Sequence, residues 1–378
     1  MTGAAGHRRI GVAFPGDPSQ PATWSGTPWG IMRGLEGAGV EPVPIRVEPP
    51  AVLRAAAFNA VAAAHLRPSR DVVGAIQRSR AAAWASPQLA AVNSWAAPWR
   101  LRQAGPLDAI VQIGTGYTLD TRVPIATFED MTVAQTRDHS YVGWEDLSAA
   151  EFVSRMERQR RAYAQAVACC LTTPWAAESV IRDYGIAPGK VHVVGVGFNH
   201  DAGGGDRDWS RPRFLFVGMD WARKNGAGVL RAFERLREEL PSALLDVVGR
   251  HPRLDQPGVT GHGVLHLNVA EERARLDRLF GSATCFVMPS YSEAGAISYV
   301  EAVAAGVPSI GTTAGGSGYL IGREGLMVDP RDDDSLLAAM RRLSDPVTAA
   351  RLGAAAKRRA VDFTWTAVAQ RLLRALGD

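Results

Sequence analysis

Cysteine is scarce in this sequence, with three in 378 residues: an adjacent pair at Cys169 and Cys170, and Cys285. So few exclude a disulfide framework or a cysteine-rich metal site. Both stretches read as apolar strands, where a thiol is expected to fill core space. No apolar run reaches the roughly 18 residues that a membrane-spanning helix needs. The first such run, Ile10 to Phe14, follows two arginines and stops at Pro15 and Gly16. It is too short for a secretory leader and is expected to be a first strand, with the protein in the cytoplasm. Repeats of solenoid period are missing. No helix-turn-helix, zinc-finger or RNA-binding motif accompanies the mildly basic balance, so nucleic acid is not an expected partner.

What is present is an ordinary globular composition, 46% hydrophobic and 21% charged, in a chain long enough for two domains. A net charge of +4 and a pI near 9.1 suit an anionic ligand or a membrane surface without establishing either. Strand-like and helix-like stretches alternate, the signature of α/β architecture with parallel sheets. Strands are expected at RIGVAF, DAIVQIG, VPIATF, AVACCLTT and VHVVGVG, and again at RFLFVG, ALLDVVG, CFVMPS and PSIGTT. Between the two sets, residues 198–213 are rich in glycine and charge and end in proline, which marks a domain boundary. An alanine-rich helical stretch covers about 51–102 and carries Trp84, Trp95 and Trp99. It is longer than a strand crossover needs; ordinary packing and a partner or acceptor surface are both open readings. Two doubly wound sheets of this kind bind ligands beyond the carboxyl ends of their strands.

Two strand–loop–helix segments carry the chemistry. In PSYSEAGAISYVEAVAAG, the small residues Ala294, Gly295 and Ala296 leave amides uncovered where a helix starts, and Gly306 and Pro308 stop that helix. Free amides and the helix dipole together favour an anion. Glu293 is suited to accept from hydroxyls beside that anion, and Glu301, further along the helix, from a second hydroxylated group. Capping by Glu293 and solvation of Glu301 is the plain alternative. In LFVGMDWARKNGAGVLRAF, a strand ends at Gly218 and a helix begins near Asn225. Arg223 and Lys224 stand at the helix edge where the dipole disfavours cations, which points to an anion that needs them. Solvated loop residues are the plain alternative there.

Together these segments resemble the signature regions of retaining glycosyltransferases of family 4. The matches are Val217, Gly218 and Lys224; the two glutamates with seven residues between them, Glu293 and Glu301; residues 304–308; and Gly315 with Gly316. Residues 183–199 resemble the close of that family's first domain, and 364–378 its last helix. The likeness covers about 180–378 well and the first half in outline. It implies the GT-B fold, two Rossmann-like doubly wound domains facing each other across a crevice. Residues 1–198 would form an acceptor-binding domain, with helix 364–378 packing back onto it, and 199–363 a donor-binding domain.

The resemblance implies transfer of a sugar from a nucleoside diphosphate sugar to a hydroxyl on a small molecule or lipid-linked acceptor. No cofactor and no metal are expected. By position, Lys224 would hold the diphosphate, aided by Arg223, while Glu301 would hold ribose and Glu293 the transferred sugar. Gly218 and the amides of Gly295, Ala296 and Ile297 would approach phosphate or sugar, and Gly249 and Arg250 the base. WSGTPWG resembles the family's glycine loop, which puts Ser25, Gly26 and Thr27 on the acceptor side. Glu129 and Asp130, after VPIATF, are expected to face the crevice; turn and capping roles compete with this.

The chain departs from the pattern at Met219, where arginine is common, at residues 294–296, and in QIGTGYTLD, which lacks the usual histidine. An epimerase or phosphorylase of similar shape, or an inactive sugar-nucleotide-binding partner protein, would share many of these features. Two other signals are discounted. The aspartates of RDDDSL, 331–336, suit a helix cap better than a metal site. The basic stretch 155–163 is expected to be a solvated helix face, with contact to the inner membrane face as a further expectation.

Overall fold

The computed structural model describes residues 8–137, 139, 141, 143–200 and 207–377, so 201–206 of the expected linker lie outside the described residues. Contacts divide the chain into two compact units. One runs to Val194 and takes in the residues from Ala369 on; the other is Gly195–Val368.

The first unit is built on β1 (Arg9–Phe14), β2 (Glu41–Arg46), β3 (Ala109–Ile113), β4 (Ile125–Glu129), β5 (Ala168–Leu171) and β6 (Val191–Val193). Every pairing is parallel, and the spatial order is β2-β1-β3-β4-β5-β6. The second unit has β7 (Arg213–Gly218), β8 (Leu244–Gly249), β9 (Val259–Gly263), β10 (Cys285–Val287), β11 (Ser309–Thr312) and β12 (Leu326–Val328). They are ordered β12-β11-β10-β7-β8-β9, again all parallel. Central strands are mostly apolar because helices cover both faces of a parallel sheet. β3, β4, β5 and β10 are buried at every position. The three cysteines are free and buried in these strands, as their setting in the sequence implies.

These orders place the switch points. The order in which successive strands are laid down reverses between β1 and β3 in one sheet and between β7 and β10 in the other. Loops leaving adjacent strands there turn to opposite faces and open a cleft for ligand. The segments after β7 and β10 are the two that the sequence singles out.

Three strands were not anticipated: β2, β9 and β12, each at a sheet edge. β2 contains Pro42 and Pro44 and is half exposed, as an edge strand tolerates. The long helical stretch is three helices. After α1 (Thr27–Gly37) come α2 (Ala51–His65), α3 (Val72–Ala85) and α4 (Pro87–Ala104). Asp71 caps α3 and accepts from the Gly74 amide at 2.9 Å. Ser86 caps α4, accepting from the Leu89 amide at 3.2 Å, with Pro87 in its first turn. Each break is a cap whose side chain competes with continued helix.

Candidate functional site

β7 ends at Gly218 beside Gly249, the end of β8. Gly249 has φ +115°, and a Cβ there would overlap the Gly218 carbonyl. Two bare backbones therefore lie side by side at the carboxyl edge, with Arg250 exposed beyond them. Gly249→Ala should lower the unfolding free energy by roughly 1–3 kcal/mol through backbone strain, read from urea titrations of variant and parent. An unchanged midpoint would mean that the edge relaxes freely.

From Gly218 the chain passes through Met219, which is half exposed, and a turn in which the Lys224 amide donates to the Asp220 carbonyl at 2.9 Å. Asn225, left-handed at φ +58°, then caps helix Gly226–Glu239 and accepts from the Gly228 amide at 3.1 Å. Its amide group also donates to the Pro330 carbonyl at 2.8 Å, anchoring the turn. Held in this way, Lys224 is only 8% exposed, and its ammonium donates to the Glu293 carboxylate. Burial lowers the lysine's pKa and Glu293 pulls the other way, with a net lowering. Arg223 donates to the Ser292 carbonyl at 2.8 Å and stands 3.9 Å from the same carboxylate.

Glu293 reaches this point from the other side of the switch. It follows β10, is 4% exposed, and accepts from the Ser290 hydroxyl at 3.1 Å. Its backbone forms an isolated bridge with Gly315, whose φ of +114° and missing Cβ allow the approach. The helix Ile297–Ala304 then begins at Ala296 with no side chain capping it. Gly295, Ala296 and Ile297 are half-buried there. The loops after β7 and β10 thus bring together two cations, a carboxylate and an open helix end.

Glu301 is not solvated. It is buried at 7% exposure, with a carboxylate oxygen 3.2 Å from His200 Nε2; His200 Nδ1 lies 2.7 Å from Asp277. Burial alone would push the imidazole down, but the Glu301 and Asp277 carboxylates outweigh it and raise its pKa to about 10. His200 was missed in the sequence because it sits in the stretch taken for linker, with no helical or strand period to place it. The signal was its position right after the last apolar residues of VHVVGVGF.

In the first unit, Ser25, Gly26 and Thr27 follow β1, and Trp24, Ser25 and Gly26 all have positive φ. Trp24 stacks on Phe14, ring centroids 5.7 Å apart. Gly26 precedes α1 without a side-chain cap. The loop after β3, where histidine is lacking, is braced by Tyr117, whose hydroxyl donates to the Ala13 carbonyl at 2.7 Å. Glu129 supports that loop instead of standing open. Its carboxylate accepts from the Thr115 amide at 2.7 Å, the Thr115 hydroxyl at 2.5 Å, Gln159 at 2.9 Å and the Tyr163 hydroxyl. Burial raises its pKa to about 7 against those bonds. The expectation of an open, acceptor-facing Glu129 is corrected: its four donors make it an interior group. Asp130, next to it, is half-buried.

Of the discounted signals, the aspartate run is a cap. Asp332 accepts from the Asp334 and Ser335 amides at 3.0 and 2.9 Å, while Asp333 and Asp334 pair with Arg231 and Arg235. The basic stretch 155–163 has a solvated face at Glu157, Arg160 and Arg161, as expected, and a second face that is turned inward. Arg155 is buried and donates to the Gly116 carbonyl at 3.3 Å, and Arg160 and Arg161 flank Glu157. Helical spacing turned Arg155, Gln159 and Tyr163 inward together.

Residues 211–345 match the family model described as Glycosyl transferases group 1. The chain is 26% identical over 272 residues to an MMP alpha-(1->4)-mannosyltransferase of Mycolicibacterium hassiacum, covering 69% of this chain and 64% of that one. It is 28% identical over 271 residues to a D-inositol 3-phosphate glycosyltransferase of Rhodococcus opacus, covering 62% and 59%. The matches thus span less than two thirds of these relatives' lengths. Among solved structures, a sucrose-phosphate synthase from Thermosynechococcus elongatus is similar over 97% of this chain and 98% of that one, with a TM-score of 0.63 and 17% identity. The fold is that of the GT-B glycosyltransferases, two Rossmann-like units in one chain.

Proposed function

We propose that this chain is a retaining glycosyltransferase of family 4 that moves a sugar from a nucleoside diphosphate sugar to an acceptor hydroxyl. The observation that carries the reading is the meeting of Lys224, Arg223 and Glu293 beside the uncapped helix Ile297–Ala304, at a switch point. Matching of the same segment to group 1 glycosyltransferases supports it.

Each group has a role in this reading. Lys224 and Arg223, with the amides of Gly295, Ala296 and Ile297, take the diphosphate and stabilise the charge that grows as it departs. Glu293 accepts from hydroxyls of the transferred sugar and Glu301 from those of the ribose, and the bare edge at Gly218 and Gly249 admits the nucleotide beside Arg250. Without donor, Glu293 offsets the cost of burying the Lys224 charge; with donor, the diphosphate takes over that part. Ser25, Gly26 and Thr27 are assigned to the acceptor side. The departing diphosphate accepts the acceptor's proton on the face it leaves, which preserves anomeric configuration, so the protein supplies position and charge. The configuration of the product's new linkage, read by NMR, tests retention; an inverted product refutes that part.

Charge stabilisation by side chains and amides leads to an expectation about metal. Transfer should continue in excess EDTA at close to the untreated rate. Complete loss, with recovery on adding magnesium or manganese, would mean that a metal and not Lys224 meets the diphosphate. Incubating donor without acceptor separates transfer from epimerisation, which would change the donor alone.

A further inference from the structure

We propose that the helical insertion α2–α4 is a docking surface for an anionic lipid bilayer. The first observation is an inverted distribution of side chains. The three helices pack inward largely through small residues: Ala62 on α2, Ala75, Ser79, Ala82 and Ala83 on α3, and Ala90, Ala96 and Ala97 on α4. Apart from Phe58 and Leu89, which are buried, many of their large apolar side chains point out. Val52, Val72, Val73, Trp84, Trp95 and Trp99 are all exposed, Trp95 at 73% and Trp84 at 58%. A helix that meets only water does the reverse. Single exposed apolar residues are ordinary, but nine of the nineteen large ones exposed among the described residues fall within 51–104. A concentration of that kind marks an interaction surface.

The second observation is charge. Residues 51–104 hold seven arginines and one acid, Asp71, a net +6 in a chain whose total is +4. The remainder is therefore net negative, and the positive charge resides here. Arg67, Arg70, Arg78, Arg80 and Arg102 are exposed. The two features share stripes. Val73, Ile76, Arg80 and Trp84 recur at helical spacing on α3, and Trp95, Trp99 and Arg102 on α4, so each outer stripe carries apolar groups and a guanidinium. Arg80 lies over the Phe58 ring at 4.9 Å and Arg100 over Trp99 at 4.5 Å, both rings carrying a cation on one face.

Charge complementarity selects the occupant. A second copy would set +6 against +6. Nucleic acid meets the charge but gives the aliphatic residues Val52, Val72, Val73 and Ile76 nothing apolar to enter. An anionic bilayer meets both: tryptophan settles at the boundary between headgroups and acyl chains, aliphatic tips enter below it, and arginines meet lipid phosphates. No helix among the described residues is long and apolar enough to cross a membrane, so the surface would lie on the bilayer without spanning it. This inference does not depend on glycosyl transfer, and its test uses neither donor nor acceptor.

The test is co-sedimentation of the full chain with vesicles of phosphatidylcholine alone or mixed with phosphatidylglycerol. Binding to the mixed vesicles should be tighter by more than about tenfold and should weaken as salt rises. Trp95→Ser with Trp99→Ser, and separately Arg67→Glu with Arg70→Glu, should each reduce it by about tenfold or more. These side chains are exposed, so thermal unfolding should be unchanged, and Val347→Ser, equally exposed in the other unit, should bind as the parent does. Failure to sediment with anionic vesicles overturns the proposal, as does parental binding by both double variants. So does equally tight binding to single-stranded RNA at the same salt, which would assign the surface to nucleic acid. A dimer in gel filtration that the tryptophan substitutions abolish would assign it to a second copy.

Discussion

Lys224→Met should lower kcat/KM for transfer by roughly 10²–10³-fold, the scale of losing one preorganised electrostatic partner of a developing oxyanion. It should also cost stability, for a reason visible without ligand. Lys224 and Glu293 are a buried ion pair, and deleting one partner of such a pair leaves the other's charge uncompensated, typically costing about 3–5 kcal/mol. Ser290 still donates to Glu293 and Arg223 stays within 3.9 Å, so the low end of that range applies. The two effects separate in the double variant Lys224→Met with Glu293→Gln. It removes both charges, keeps the shape, and should recover most of the lost stability while transfer stays low. Urea titration reads the first and initial rates the second. Rates that return with stability would reduce the pair to a structural ion pair. Glu293→Gln by itself should keep nucleoside diphosphate affinity and lose transfer, because this carboxylate is assigned to the sugar.

Glu301→Ala should weaken nucleoside diphosphate binding by roughly 10–150-fold, the equivalent of about 1.5–3 kcal/mol for a charged hydrogen bond. His200 gives this carboxylate a second, independent signature. Its imidazole titrates near 6.5 when unfolded and is raised to about 10 in the fold by Glu301 and Asp277, against the opposing effect of burial. A raised basic group contributes stability that is complete below pH 6.5 and lost as pH climbs to about 10, because across that window the native state binds the extra proton. The slope is at most about 1.4 kcal/mol per pH unit. His200→Gln should flatten the unfolding free energy between those limits, with the loss of stability full below pH 6.5 and gone above about pH 10. The same slope in parent and variant would mean that His200 is not the protonated partner of Glu301. Phe280, whose ring centroid lies 5.5 Å from that of His200, carries no charge into this pocket.

Much of this molecule was written locally. The central strands announced themselves as continuous apolar runs, since a parallel sheet is covered on both faces. The helix start at Asn225 and the stop near Gly306 follow from capping chemistry that spans only a few residues. Their places at or just after loop–helix junctions made Arg223, Lys224, Glu293 and Glu301 candidates, the family resemblance implied their roles, and the strand order then set the segments bearing Lys224 and Glu293 against each other.

Other features depended on contacts between residues distant in sequence, for which one chain carries no local signal. β2, β9 and β12 are edge strands, β2 and β9 partly exposed and poor in apolar pattern and β12 only three residues long, and they are strands because a neighbour offers hydrogen bonds. Glu129 and Arg155 read as open charges and proved to be interior, because Thr115, Gln159, Tyr163 and the Gly116 carbonyl close around them from other elements. His200 became a partner of Glu301 only because the fold sets it between Asp277 of helix Ala270–Ser282 and Glu301 of helix Ile297–Ala304. Local sequence determined where backbone would be helical, extended or exposed at a turn. Which charges lost their water was decided by tertiary structure, because desolvation depends on everything packed around a group and not on its neighbours in the chain.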